Sequence, residues 1–203
     1  MPIQRVLQNN IIKSAHIAAN AVGSSELDLT ANYAFTGSVS GVGGFTLATP
    51  QSPTSGASID FTGLPADISV IFVTYAAVDM SGANWLTIQL GDSGGFETTE
   101  YTSAVDYPGS GNSFYANTAQ ENNGLKLMYQ TSTPFSGIAE IVRQSANQTT
   151  WVMKARSHAV GDSVSYSTYS AVEKTLSGAL TQIRLINAGS HTFSAGTINI
   201  AYQ

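Results

Sequence analysis

The chain has 203 residues and no cysteine, and only 10% of it is Asp, Glu, Lys or Arg, against about 25% in ordinary soluble domains. The missing thiols exclude disulfide frameworks, thiol catalysis and Cys-ligated zinc. A net charge of −5 and only eight scattered basic residues argue against nucleic acid as a partner, because phosphate binding needs clustered Lys and Arg.

Residues 1–10 lack the apolar core of a secretory signal, so the chain is expected to be made in a cytoplasm without a signal peptide. Residues 12–27 carry a ten-residue quasi-repeat: Ile12, Ser14 and Ile17 recur as Val22, Ser24 and Leu27. Two apolar residues in ten bury too little surface to offset the roughly 1–2 kcal/mol of backbone entropy lost per ordered residue. Such a segment orders only against identical chains or a larger assembly. Ile11 to Val22 has a helical composition with Gly23 as a stop, and an extended form is equally allowed. Residues 31–57 read as a linker, broken by Gly37, Gly41, Gly43, Gly44, Pro50, Pro53 and Gly56.

From Ser58 onward short alternating runs are separated by turn clusters. Ile68 to Tyr75 is apolar on both faces, as in a central strand or one facing another subunit. Ser69, Thr74 and Tyr75 interrupt the apolar stretch Ile68 to Val78, and no run reaches the eighteen or so residues of a membrane span, so no membrane insertion is expected. Leu86, Ile88 and Leu90 alternate with Thr87 and Gln89, which predicts a half-buried strand ending at Gly91 and Asp92. Leu125 to Tyr129, Gly137 to Arg143, Thr149 to Ala155, Ser163 to Tyr169, Gln182 to Asn187 and Thr197 to Tyr202 follow. These elements predict a mainly β fold, an antiparallel β-sandwich or jelly roll, preceded by an extended or partly helical N-terminal stem. The polar stretch Gly91 to Asn123 offers one clear strand, Thr99 to Ala104, and otherwise reads as a long loop.

A set of segments, in this order, carries a family resemblance: Gly44 to Pro50, Ser55 to Pro65, Ile88 to Gly91, Thr98 to Thr102, Trp151, Leu180 to Leu185 and Thr192 to Ile200. Spread over about residues 44–203, they resemble a tail-fibre domain of tailed bacteriophages, notably those of cyanobacteria and other aquatic bacteria. The repeat Ile12 to Leu27 looks like the short repeats that precede such domains. The resemblance implies a β-rich, usually trimeric virion appendage for host attachment. This chain has a longer stretch, Ala104 to Asn123, where family members often carry a short connection, so no ligand preference is carried over.

Gly91 to Gly95, Gly-Asp-Ser-Gly-Gly, matches the surroundings of the nucleophilic serine in chymotrypsin-like proteases. That chemistry needs a histidine and a buried aspartate within reach. The only histidine upstream is His16, in the appendage, so the segment reads as a turn with glycines supplying positive φ. His16, His158 and His191 lack metal-ligand spacing. Asp92, Glu97, Glu100 and Asp106 cluster in sequence, but glycoside hydrolysis needs two carboxylates at a defined separation, and four acids in a solvated loop explain them as well. Neither catalytic residues nor a metal or other cofactor are expected.

Tyr101, Tyr107, Phe114 and Tyr115, with Asn112 and Asn117, suit carbohydrate recognition, in which sugar C–H faces stack on rings and hydroxyls bond to amides. The same rings could instead pin the loop to the sandwich or a neighbouring subunit. Trp85, on the side of Thr87 and Gln89, is an interface or ligand candidate, and Trp151 a core residue.

Residues 1–43 are therefore read as an attachment and trimerisation stem with its linker, and residues 44–203 as a β-sandwich distal domain. Ile12, Ile17, Val22 and Leu27 are the candidate oligomerisation and attachment residues. The expected function is that of a structural tail-fibre protein of the virion, a homotrimer that attaches non-covalently to a host-surface glycan. Its stem would join other virion tail or baseplate proteins. A capsid decoration or cement protein, or a fibre connector, is the alternative; a polysaccharide-degrading tailspike-type enzyme would need a catalytic set not recognisable in the chain.

Overall fold

The computed structural model describes residues 44–108, 114–117, 123–130, 133–144, 149–160, 165–187, 189 and 191–203. The proposed stem, with Ile12, Ile17, Val22 and Leu27, lies outside the described residues, as does Asn112. Those described form an all-β fold of thirteen strands: β1 (Thr46–Leu47), β2 (Ser58–Thr62), β3 (Val70–Met80), β4 (Asn84–Asp92), β5 (Gly95–Phe96), β6 (Thr102–Pro108), β7 (Phe114–Asn117), β8 (Leu125–Gln130), β9 (Phe135–Arg143), β10 (Thr150–Val160), β11 (Ser165–Thr175), β12 (Gln182–Asn187) and β13 (Phe193–Tyr202). Every pairing between them is antiparallel. Among the described residues no helix is long and apolar enough to cross a membrane.

An eight-stranded sheet runs β1-β13-β3-β9-β10-β11-β6-β7, and a five-stranded sheet runs β2-β12-β4-β5, with β8 also paired to β4. Ile71, Val73, Ile141, Met153 and Val172 of the larger sheet meet Phe61, Leu86, Ile88, Leu90, Ile183 and Leu185 of the smaller in one apolar core. In β3 the period of two is regular as far as Ala76, with Ile71, Val73 and Tyr75 buried and Thr74 and Ala76 exposed. A bulge follows, in which Ala77 takes φ 49° and its N–H bonds Ser136 Oγ at 2.9 Å. The extra residue returns Val78 to the interior.

Two expectations are corrected here. β4 is buried on both faces, not one: Thr87 and Gln89 are enclosed as fully as Leu86 and Ile88. Gly124 lies against Thr87 and Ile88 where a side chain would not fit, and Gln89 Nε2 bonds Asn123 O at 2.9 Å. The stretch Gly91 to Asn123 is also more regular than a long loop, because β6 pairs with β11 and β7 pairs with β6 at the border of the larger sheet.

β8 explains how the two sheets are held in register. It pairs with β4 through a bulge that leaves Leu127 without a partner in the ladder. Its carbonyl would be an orphan in the interior, but Ser157 Oγ of β10 donates to it at 2.6 Å. Tyr75 Oη lies 2.6 Å from the same hydroxyl; because the Ser157 proton is committed to Leu127, Tyr75 is the donor in that pair. Gly137 makes this possible, since a Cβ there would collide with the Tyr75 hydroxyl and with Arg156 O. On β11, Ser170 Oγ donates to Lys126 O and Thr168 Oγ1 to Met128 Sδ.

Ser157→Ala therefore strands Leu127 O in the core and leaves the Tyr75 hydroxyl only its longer bond to Arg156 O at 3.4 Å. A loss of about 2–3 kcal/mol is expected, from the penalty for unsatisfied buried groups, measured by urea unfolding; Ser167→Ala, in the same sheet but half-buried, should change stability far less.

Candidate functional site

Antiparallel register assigns residues directly opposite each other to the same face. Because Ser157 and Thr168 point inward, Arg156 and Tyr169 point outward. Across the larger sheet Ile138 lies opposite Arg156, Arg156 opposite Tyr169 and Tyr169 opposite Asp106. The next outward row is Glu140, Lys154, Ala171 and Ala104. The side chains shrink to methyl groups at Ala171 and Ala104 while their neighbours stay long. The outer face is therefore hollowed there, with a cavity volume of about 350 Å³, at the small end of the range for ligand pockets.

The polar groups of the hollow are few and specific. Tyr169 is 45% exposed, and the Arg156 guanidinium sits 5.1 Å from its ring centroid. Lys154 Nζ pairs with Glu140 Oε2 at 2.9 Å, so these two charges neutralise each other. Arg156 and Asp106 have no ion-pair partner among the described residues, and they flank Tyr169 on its two sides. An aromatic wall, an apolar floor, one free donor and one free carboxylate can hold a polar ring with hydroxyls. Tyr169 stacks on C–H groups, Asp106 accepts from hydroxyls and Arg156 donates to ring or hydroxyl oxygens.

The residues predicted from sequence as glycan contacts are not the ones that form this row. Tyr101 is a core residue, 2% exposed, which corrects its reading as a glycan contact. Its hydroxyl donates to Glu97 O at 2.9 Å and accepts from Leu90 N–H at 2.8 Å, and burial pushes its pKa up. It pins the chain after β5, as the alternative reading allowed. Tyr107, Phe114, Tyr115 and Asn117 lie in the β6–β7 hairpin, where Tyr107 is in register with Tyr115. Trp85, half-buried on the other sheet, packs edge-on against Tyr129 with centroids 5.5 Å apart, and Trp151 is core.

The protease-like pentapeptide is a turn between β4 and β5, where Asp92 pairs with Gly95 and Gly95 has φ 122°. Buried Asp92 serves structure: Ser177 Oγ donates to its Oδ2 at 2.6 Å and Gly94 N–H to its Oδ1 at 2.7 Å. Glu97 accepts from Ser177 N–H at 2.7 Å and pairs with buried Lys174 at 2.6 Å. Lys174 Nζ also donates to Thr99 O at 2.9 Å. Of the four acids singled out in sequence, Asp106 alone lines the hollow. Among the described residues no three His, Asp or Glu side chains are placed to hold a metal ion. Family models, curated proteins and solved structures yield no match to this chain.

Tyr169 escaped sequence reasoning because β11 reverses the usual alternation, while Arg156 and Lys154 are ordinary outward positions of β10. The inward positions of β11 are Thr168, Ser170, Val172 and Lys174, and its outward ones Tyr169, Ala171 and Glu173. An aromatic residue in such a strand is assigned by default to the core.

The Asp92–Ser177 corner carries a pH dependence. Hydrogen bonds from Ser177 and Gly94 hold the Asp92 carboxyl below the ordinary carboxylate range. Burial alone would raise Glu97, but Lys174 and Ser177 bring it below that range. Both groups thus add stability that is complete above ordinary carboxylate pKa values and is lost as pH falls through their lower folded values. The melting temperature should be flat near neutrality and fall as pH drops through and below the ordinary carboxylate range. Asp92→Asn should melt lower at pH 7 and fall less steeply in acid, as followed by circular dichroism.

Proposed function

We propose that this chain is a virion attachment protein of the tail-fibre type, a homotrimer whose β-sandwich holds a neutral host-surface glycan in the hollow beside Tyr169. The attachment and trimer elements of this reading rest on the sequence resemblance and on the repeat at Ile12 to Leu27. The observation that carries the glycan element is the outward row Arg156, Tyr169 and Asp106 above a floor of Ala104 and Ala171. A neutral sugar suits the hollow because its charges cancel: Lys154 with Glu140, and Arg156 with Asp106 across the ring. Holding rather than cleaving is favoured because one of the hollow's two acids, Glu140, is engaged by Lys154, which leaves no free pair of carboxylates for hydrolysis. Three shallow sites on one trimer would gain by avidity what each lacks in affinity. The stem would join the trimer to other tail or baseplate proteins.

Titration calorimetry with neutral and with sialylated oligosaccharides of the host surface tests the reading. The neutral sugars should bind, and Tyr169→Ala and Asp106→Ala should each weaken binding roughly tenfold or more, as expected for loss of a stacking surface or of a charge-assisted hydrogen bond. Melting temperatures should be unchanged, since both side chains are exposed. Equal affinity of the two variants and the parent chain would remove the hollow from the account.

A further inference from the structure

The outer face of the larger sheet continues past the hollow toward β1, and its character changes there. Phe45 and Leu47 are 51% and 69% exposed, the highest values of any large hydrophobic side chains among the described residues. The Phe45 ring packs on Phe72 with centroids 5.2 Å apart. In register, Leu47 lies opposite Ala201 and Ala201 opposite Phe72, while Val70, Val142 and Val152 form the neighbouring outward row. The apolar band thus spans β1, β13, β3, β9 and β10, and the row of Phe72 continues into Glu140 and Lys154, the self-neutralised pair that also lines the hollow. β1, only two residues long, pairs with β13 on one side and, among the described residues, has no strand on its other edge. Apolar patches and open edges of this kind are normally covered in solution.

We infer that this band, centred on Phe45, Leu47 and Phe72, is where copies of the chain meet. The inference rests on the homotrimer reading and gives that trimer its contact surface within the sandwich. The occupant is a second copy for two reasons. Phe45 and Leu47 come within four residues of the segment 1–43 read as the trimerisation stem, so a trimer held by that segment tethers these side chains of its copies to a common point by short lengths of chain. The band carries no net charge, since Glu140 on the row of Phe72 is paired with Lys154, and the chain carries few charges in all, so copies approach without electrostatic opposition. In a threefold ring the β1 side of each band packs on the β9–β10 side of the next copy's band, a head-to-tail contact that closes at three. The hollow, at the β10, β11 and β6 side of the same face, then opens beside the contact.

The chain has no cysteine, so one introduced thiol is unique. Full-length Leu47→Cys, treated at micromolar concentration with a short bismaleimide, should give covalent dimers, while Ser93→Cys in the exposed β4–β5 turn should give none. Light scattering on the untreated protein should read a mass of three chains. A three-chain mass with no excess of cross-linking at residue 47 overturns the contact surface and leaves the homotrimer standing. A one-chain mass overturns both, and sugar binding by the same sample still judges the hollow separately. A residue-47 thiol shielded from monofunctional maleimide yet never cross-linked would mean that the chain's own N-terminal segment covers the band, which also overturns the inference.

Discussion

The hydroxyl of Ser157 holds the carbonyl of Leu127, and through it the larger sheet grips a strand that belongs to the smaller one. Leu127 is the unpaired residue of a bulge, so without that hydroxyl the core would enclose an orphan acceptor. Tyr75 completes the chain of donors by reaching over Gly137, and Ser170 makes the parallel contact to Lys126. These contacts fix more than the distance between sheets. Side chains alternate with a period of two, so a slip of one residue in β10 or β11 would exchange every inward group for an outward one. Fixing Ser157 and Ser170 inward is what fixes Arg156 and Tyr169 outward.

The larger sheet therefore has two faces with different tasks. Its inner face mixes apolar residues with hydroxyls and closes the sandwich. Its outer face carries the Tyr169 hollow at one side and the Phe45–Leu47–Phe72 band at the other. At the corner formed by Asp92, Glu97, Lys174, Ser177 and Tyr101, side chains that look chemical are engaged in structure, joining the chain after β4 to the connection between β11 and β12.

The fold class was legible because most runs alternate and are punctuated by turn residues; Ile71, Val73 and Tyr75 show this, as do Leu86, Ile88 and Leu90. What alternation could not convey was what covers the second face of a strand. Thr87 and Gln89 look solvent-facing until Asn123 and Gly124 pack over them, a contact more than thirty residues away in sequence. The β6–β7 hairpin was hidden because its strand character comes from pairing with β11 more than from its own Gly-, Ser- and Asn-rich surroundings. Of the hollow, Asp106 alone drew attention, as one acid of four. Tyr169 was concealed by the inverted polarity of β11, and Tyr101 drew attention for the wrong reason, since an aromatic residue in a polar stretch reads as exposed when its hydroxyl has in fact found buried partners.

The central claim is that the outward row Arg156, Tyr169 and Asp106 is where this domain touches its ligand. The most direct measurement is an amide chemical-shift map of the isotopically labelled chain during titration with a neutral host-surface oligosaccharide. The account predicts shifts concentrated at Ala104, Asp106, Lys154, Arg156, Tyr169 and Ala171, on three adjacent strands of one sheet. Shifts centred instead on Trp85 and Tyr129, on the opposite sheet, would contradict it.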